Sequence, residues 1–305
     1  MHILDILASH PTTFSFEFFP PKTAEASEKL FKTISQLETL KPSFVDVTYG
    51  AGGGARNFTN DLVLRIRRET KLDAIPHLTC VCHELKDIDE ILELWASKGV
   101  SNILALSGDV PKDCPDWDRS KDAFRYAAGL VRHIRAFNSR GRHQERRGFG
   151  IGVAGFPEGH PATPNRLRGM EHLKAKVDEG ADYVVTQLFF DNHDFYDFRD
   201  RCELAGIKVP ILAGVMPITS TKGMERMADL AAGVRFPAGL LRAIQRCGGD
   251  EDAVRRVGIH WATEQCRDLL DNKARGLHFY TLNQSDATRQ IYLNLGISTD
   301  AGLKR

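Results

Sequence analysis

The sequence predicts an α/β fold, a single (β/α)8 barrel of the TIM type spanning residues 1–305 with extra helices before its last strand. Three observations predict it. Eight short β-rich runs occur in order, at 13–18, 44–49, 74–81, 102–106, 150–154, 183–188, 211–215 and 277–282. Amphipathic stretches such as 25–40, 62–70, 85–98 and 121–137 lie between them, the alternation that builds parallel sheets. The 305 residues are 42% hydrophobic, enough for one large closed core.

The first run, Phe14-Ser15-Phe16-Glu17-Phe18-Phe19-Pro20-Pro21, alternates aromatic and polar residues, and prolines end it. With the phenylalanines packed under outer helices, Glu17 points into the barrel mouth. Losing hydration among aromatics, its carboxyl would hold a proton more readily, as a general acid must. A structural carboxylate paired with an arginine is the competing reading. The second run continues into Val47-Thr48-Tyr49-Gly50-Ala51-Gly52-Gly53-Gly54-Ala55. Gly50, Gly52 and Ala55 literally satisfy G-x-G-x-x-A, but the next run ends in Thr79-Cys80-Val81-Cys82-His83 without the acid a ribose needs. A loop giving a ligand close backbone access is the better reading.

On the third run His77, taken alone, reads as a satisfied core histidine. In the helical stretch after it, Ile88, Ile91, Leu92 and Trp95 recur at helical spacing and should form the buried face. The fourth run ends in Leu106-Ser107-Gly108-Asp109-Val110-Pro111, which suits either a backbone against a flat ligand with a carboxylate alongside or an Asx turn. The polar segment 112–120 is long enough for a mobile active-site loop. The basic run 138–148 lies on a helix-to-strand connection, opposite the usual active face, and a solvated loop is preferred over a phosphate site. His160 falls in a loop after the fifth run. Gln187, inside an apolar sixth run, needs a hydrogen-bond partner that a ligand at the mouth would supply. Residues 237–271 add two helical segments parted by Gly248 and Gly249, an extra helical layer or a subunit contact.

A formal net charge of +1 argues against a general nucleic-acid or membrane-surface binder. Met1-His2-Ile3-Leu4-Asp5-Ile6-Leu7 lacks a signal-peptide pattern, and no apolar run approaches the ~20 residues of a membrane span. The six cysteines are scattered apart from Cys80 and Cys82, which are too close along a strand for ordinary disulfide geometry. Reduced thiols in a cytoplasmic protein are expected. Cys80, Cys82 and His83 lack a second pair at zinc spacing, so no metal is expected.

Seven segments, in order across nearly the whole chain, give a resemblance to a known family. They are Phe16-Glu17-Phe18-Phe19-Pro20-Pro21-Lys22, Val47-Thr48-Tyr49-Gly50-Ala51, Pro76-His77-Leu78-Thr79-Cys80, Leu106-Ser107-Gly108-Asp109, Phe156-Pro157-Glu158-Gly159-His160-Pro161, Thr186-Gln187-Leu188-Phe189-Phe190-Asp191 and His278-Phe279-Tyr280-Thr281-Leu282-Asn283. Together they resemble the methylenetetrahydrofolate reductase family in its bacterial, catalytic-domain-only form. The resemblance implies an FAD-dependent flavoprotein oxidoreductase of one-carbon metabolism. It would reduce 5,10-methylenetetrahydrofolate to 5-methyltetrahydrofolate with NADH or NADPH as donor, and would form a homo-oligomer.

Under the same resemblance Glu17 matches the general acid that opens the folate's five-membered ring to an iminium. Asp109 matches a carboxylate beside the flavin and pterin, able to stabilise that cation. Gln187 and Thr48 match the folate- or nicotinamide-binding face. Tyr49, Ala51, His77, Ser107, Gly108, Asp109, Ala127, Phe156, His160 and Lys176 fall at flavin-contact positions. Some relatives carry arginine where Ser107 stands, tyrosine at Phe156, an acid near Gly169, an aromatic at Thr221 and a base at Gln284. These departures bear on FAD and substrate affinity rather than on reaction class. The competing classes are a pterin-dependent methyltransferase barrel, which needs no flavin, and a noncatalytic flavin- or pterin-binding protein.

Overall fold

A computed structural model describes residues 1–49, 53–109, 116–231 and 233–297. Helix α1 (Ile3–Ser9) precedes β1 (Thr13–Phe18), α2 (Ala24–Glu38), β2 (Phe44–Val47), α3 (Gly53–Glu69), β3 (Ala74–Thr79), α4 (Leu85–Ser97) and β4 (Asn102–Leu106). Then follow α5 (Ala127–Asn138), β5 (Gly150–Gly155), α6 (Arg166–Asp178), β6 (Tyr183–Thr186), α7 (Asn192–Leu204) and β7 (Ile211–Val215). The chain continues through α8 (Thr221–Leu230), α9 (Ala238–Gln245), α10 (Glu251–Asp271), β8 (Gly276–Tyr280) and α11 (Asp286–Asn294). The eight strands are parallel and close in sequence order, β1 returning to β8 with Glu17 beside Tyr280. The expected barrel and its extra helices before the last strand are therefore present.

Alternation along each strand builds two cores. Phe14, Phe16 and Phe18 face the helices, where Phe14 meets the Tyr292 ring of α11 edge-on with centroids 4.6 Å apart. Burying each such ring contributes roughly 1.5–3 kcal/mol. Ile88, Ile91, Leu92 and Trp95 form the buried face of α4 as their spacing predicts, and Trp95 Nε1 donates to Asn60 Oδ1 at 2.8 Å. The barrel interior holds the second cluster: Phe44, Ile75, Leu104, Tyr183, Val185 and Leu212, with Ile3, Ile6 and Leu7 of α1 packed beneath them. Asn102 at the start of β4 fixes α1 by accepting from Ile3 N–H at 2.6 Å, and donates to Met1 O at 2.8 Å. Helix α1 thus closes the amino-terminal end of the barrel, a plug that periodicity over so few residues did not reveal.

Four strands stop short of their expected ends, at Val47, Thr79, Thr186 and Tyr280. Their pairing runs out at the mouth, where the chain turns away: Cys82, Leu282 and Asn283 adopt φ of 61°, 49° and 59°. The helix expected over 121–137 starts only at Ala127, after a 3₁₀ turn at Arg119–Lys121. Asp122 explains the delay. Its carboxylate accepts from Cys82 N–H, Trp117 Nε1–H and Arg119 Nε–H, and Ala123 N–H donates to His83 O, holding the link extended.

The basic segment 138–148 is largely exposed, as the solvated-loop reading expects, and several of its side chains pair with neighbours. Arg142 pairs with Glu93, Arg147 with Asp5 and Glu145, and His143 Nε2 meets Val100 O at 2.7 Å. These bonds tie it beneath the barrel, alongside α1. Residues 237–271 form the predicted extra layer. Their apolar faces join Leu188, Phe190, Met216 and Ile218 in a third cluster, and Gly258 lets α10 approach so closely that a Cβ there would lie 1.8 Å from Ile218 O. Among the described residues, no helix is long and apolar enough to cross a membrane.

Candidate active site

Four inward-facing side chains from adjacent strands meet near the carboxyl ends of β8, β1, β2 and β3. His77 Nε2 lies 3.6 Å from Glu17 Oε2 and 3.7 Å from Asp46 Oδ2. His278 Nε2 lies 3.8 Å and 3.9 Å from the same two atoms. The other His278 nitrogen, Nδ1, is 2.8 Å from Ser15 Oγ. Glu17 and His77 keep a sliver of exposure, 9% and 6% of their side chains, whereas Asp46 and His278 have none. Glu17 therefore points inward as alternation predicts, with two imidazoles and a second carboxylate close by and Tyr280 beside it on β8. Burial draws His77 toward its neutral form. Asp46 and Glu17 outweigh that pull and leave its pKa above the ordinary histidine value.

The other predicted residues ring the mouth. Tyr49 Oη and His83 Nε2 are 2.9 Å apart, and His83 Nδ1 is 2.8 Å from Val81 O, so Nδ1–H donates to the carbonyl and Tyr49 to the other nitrogen. Thr48 N–H donates to Phe18 O at 2.9 Å, and its carbonyl accepts from Thr59 Oγ1 at 3.0 Å. Ser107 Oγ accepts from an Arg119 guanidinium N–H at 3.3 Å. Gly108 has φ +75°, and a Cβ there would sit 2.6 Å from Val81 and 2.8 Å from Thr79. Packing against the end of β3 and the residues that follow it therefore already requires glycine at this position. Ala51 and the rest of 50–52, with residues 110 and 111 and residues 112–115 of the expected mobile loop, lie outside the described residues.

Asp109, His160 and Lys176 share one neighbourhood between β4 and α6. Burial pulls His160 below its usual value and Lys176 lowers it further, with Asp109 acting against them. The Phe156 ring meets His160 edge-on at 4.6 Å, and His160 Nδ1 accepts from Ala162 N–H at 3.1 Å. Lys176 Nζ donates to Ala154 O at the end of β5, and desolvation lowers its ammonium to about 8. Ala127, first residue of α5, is buried nearby in sequence to the Asp122 network. Gln187 lies one residue beyond β6, half-buried. Its Oε1 accepts from Leu188 N–H at 2.9 Å, a local bond where a partner across the mouth was expected.

At Gly169 a Cβ would meet nothing within 4 Å. Thr221 opens α8 with its N–H on Glu251 Oε2, and Gln284 N–H donates to Thr281 O.

Sequence reading missed Asp46, His278 and Tyr280. The signal was present: a lone acid between Val45 and Val47 and a lone histidine beside Phe279, each at inward parity on a strand. Tyr280 Oη donates to Thr186 O at 2.7 Å and packs edge-on to His278 at 5.1 Å.

A closed parallel barrel with acids and bases gathered at its strand carboxyl ends defines a protein of the class that does its chemistry on that face. The family model for methylenetetrahydrofolate reductase matches residues 2–296, and the chain belongs to that family. Methylenetetrahydrofolate reductase (NADH) 1 of Arabidopsis thaliana is 39% identical over 303 residues, covering 96% of this chain and 50% of that protein. The 5,10-methylenetetrahydrofolate reductase of Escherichia coli (strain K12) is 36% identical over 283 residues, covering 93% and 90%. The chain thus spans about half the length of the plant relatives it matches. Among solved structures, an uncharacterized protein from Clostridium thermocellum described as binding two copies of 5-methyl-5,6,7,8-tetrahydrofolic acid aligns with a TM-score of 0.64. It covers 98% of this chain and 99% of its own at 14% identity, a likeness of fold.

Proposed function

We propose that the protein reduces 5,10-methylenetetrahydrofolate to 5-methyltetrahydrofolate with electrons from NADH or NADPH, using FAD, and that Glu17 is the acid of the folate half-reaction. Family membership supports the reaction class. The observation that carries the acid assignment is Glu17 itself, a nearly buried carboxyl at the barrel mouth, flanked by His77.

The residues present fit a flavin dinucleotide. Ser107, Arg119, His160 and Lys176 set hydroxyl, guanidinium, imidazole and ammonium groups around one side of the mouth, a donor set suited to a diphosphate. Asp109 balances them on the same rim. Bound there, FAD would supply the two-electron chemistry, leaving the protein to orient and protonate. Thr48 and Gln187 border the opening from β2 and β6, where a folate or nicotinamide would lie. Glu17 would donate its proton as the folate ring opens, and Asp109 would stabilise the cation formed. Cytoplasmic residence agrees with the reduced thiols of Cys80, Cys202, Cys247 and Cys266. Assembly into a homo-oligomer rests on the family resemblance.

Glu17→Gln tests this reading. Anaerobic stopped-flow should show flavin reduction by NADH or NADPH preserved while folate reduction falls at least about 100-fold. Wild-type rates in both half-reactions would remove Glu17 from the acid role, and a colourless protein inert to nicotinamide would remove the reductase reading.

A further inference from the structure

Asp46 has no role in the chemistry above, yet it occupies a demanding position. Its side chain is wholly buried on β2, level with Glu17 in the strand register, and neither carboxylate oxygen has a hydrogen-bond partner. The Nε2 atoms of His77 and His278 also lack one. Separations of 3.6–3.9 Å between these nitrogens and the two carboxylates exceed hydrogen-bond length but leave strong charge coupling in an enclosed space. Among the described residues, no group of His, Cys, Asp and Glu side chains has the geometry to hold a metal ion, so coordination does not explain the arrangement.

Charge balance does. With both imidazoles neutral and Glu17 ionised by its acid step, the cluster would carry two buried negative charges, and among the described residues those imidazoles are the bases at ion-pair distance from both carboxylates. An uncompensated buried ion costs several kcal/mol. Retained protons relieve that cost. Among the described residues, two phenols also couple to these carboxylates: Tyr183 from β6 and Tyr280 from β8. Burial first, then Asp46, raises Tyr183 well above the usual phenol value, and burial with Glu17 and Asp46 does the same for Tyr280, so neither supplies charge near neutrality.

We propose that Asp46 is a positioning residue whose buried charge holds a proton on His77, ready to restore Glu17 after each acid step. This rests on the reading of Glu17 as the acid. When the Glu17 O–H bond breaks and its proton passes to the substrate, the carboxylate faces His77 Nε2–H across 3.6 Å. The imidazolium N–H bond then breaks as the Glu17 O–H bond re-forms, leaving neutral imidazole. His77, which reaches the mouth, regains a proton from water once product has left. No electrons move. Asp46 stabilises the imidazolium at the same nitrogen from a fully buried position, where solvent cannot screen it, and His278 Nδ1 is anchored by Ser15.

Asp46→Asn keeps the shape and removes the charge. Imidazole ¹⁵N NMR of the purified protein should place the His77 midpoint above the ordinary histidine value in wild type and lower it in the variant. Stopped-flow at pH 7.5 should show repeated folate turnover slowed about tenfold, with its activity limb moved to lower pH and flavin reduction by nicotinamide unchanged. A wild-type His77 that titrates at or below the ordinary value overturns the proposal even if the variant fails to fold. An unmoved His77 midpoint in a folded variant overturns it too. The NMR reading needs neither folate nor nicotinamide, so its failure is separate from failure of the reading of Glu17 as the acid, which appears as normal folate reduction by Glu17→Gln.

Discussion

Lys176 shows how one side chain records its surroundings. Its ammonium lies against Ala154 O at the end of β5, and desolvation lowers it from 10.5 to about 8. The unfolded chain therefore binds more protons than the folded one between those values, and stability rises with pH across that window. Urea unfolding of the cofactor-free protein should show this gain between pH 8 and 10, and Lys176→Met should abolish it. A variant with the wild-type slope would mean that Lys176 is not the titrating group. Glu17 was legible from alternation with Phe16 and Phe18, since parity alone aimed it inward. Asp46 and His278 sat on equally regular strands, but their significance lies in mutual distance, which one strand's pattern does not contain. Gly108 was legible as a special position for an incomplete reason, because the side chains that crowd it are Thr79 at the end of β3 and Val81 just beyond it.

Helix α1 makes the corresponding case among elements. Only seven residues long, it buries Ile3, Ile6 and Leu7 under the barrel interior. Ile6→Ala should destabilise the protein by about 2–4 kcal/mol, read as a lower urea midpoint with unchanged slope. An unchanged midpoint would place α1 outside the cooperative unit. All eight strands and the α9–α10 layer were legible, because alternation and helical periodicity are local. Strand ends were not, because they depend on where the neighbour's ladder stops. The link before α5 was misread as helix because the Asp122 bonds that hold it extended come from β3's loop and from Trp117 and Arg119.

For the whole molecule, barrel closure places the mouth residues on eight different connections, so a ligand spanning them would tie much of the fold together. FAD at about 100 times its Kd should add roughly 2.7 kcal/mol and raise Tm by roughly 5 °C. A melting temperature indifferent to FAD would sink the flavin reading.

With α1 seated underneath, the barrel is a cul-de-sac. Asp46 and His278 have no surface of their own, so any proton they exchange with water must travel past Glu17 and His77. A ligand lying across the mouth would close that route, and the number of protons inside would then be fixed until it departs. Each visit by a substrate would begin with a proton count chosen by the pH before binding, which makes the buried pair beside Glu17 a determinant of how the chemistry responds to the medium.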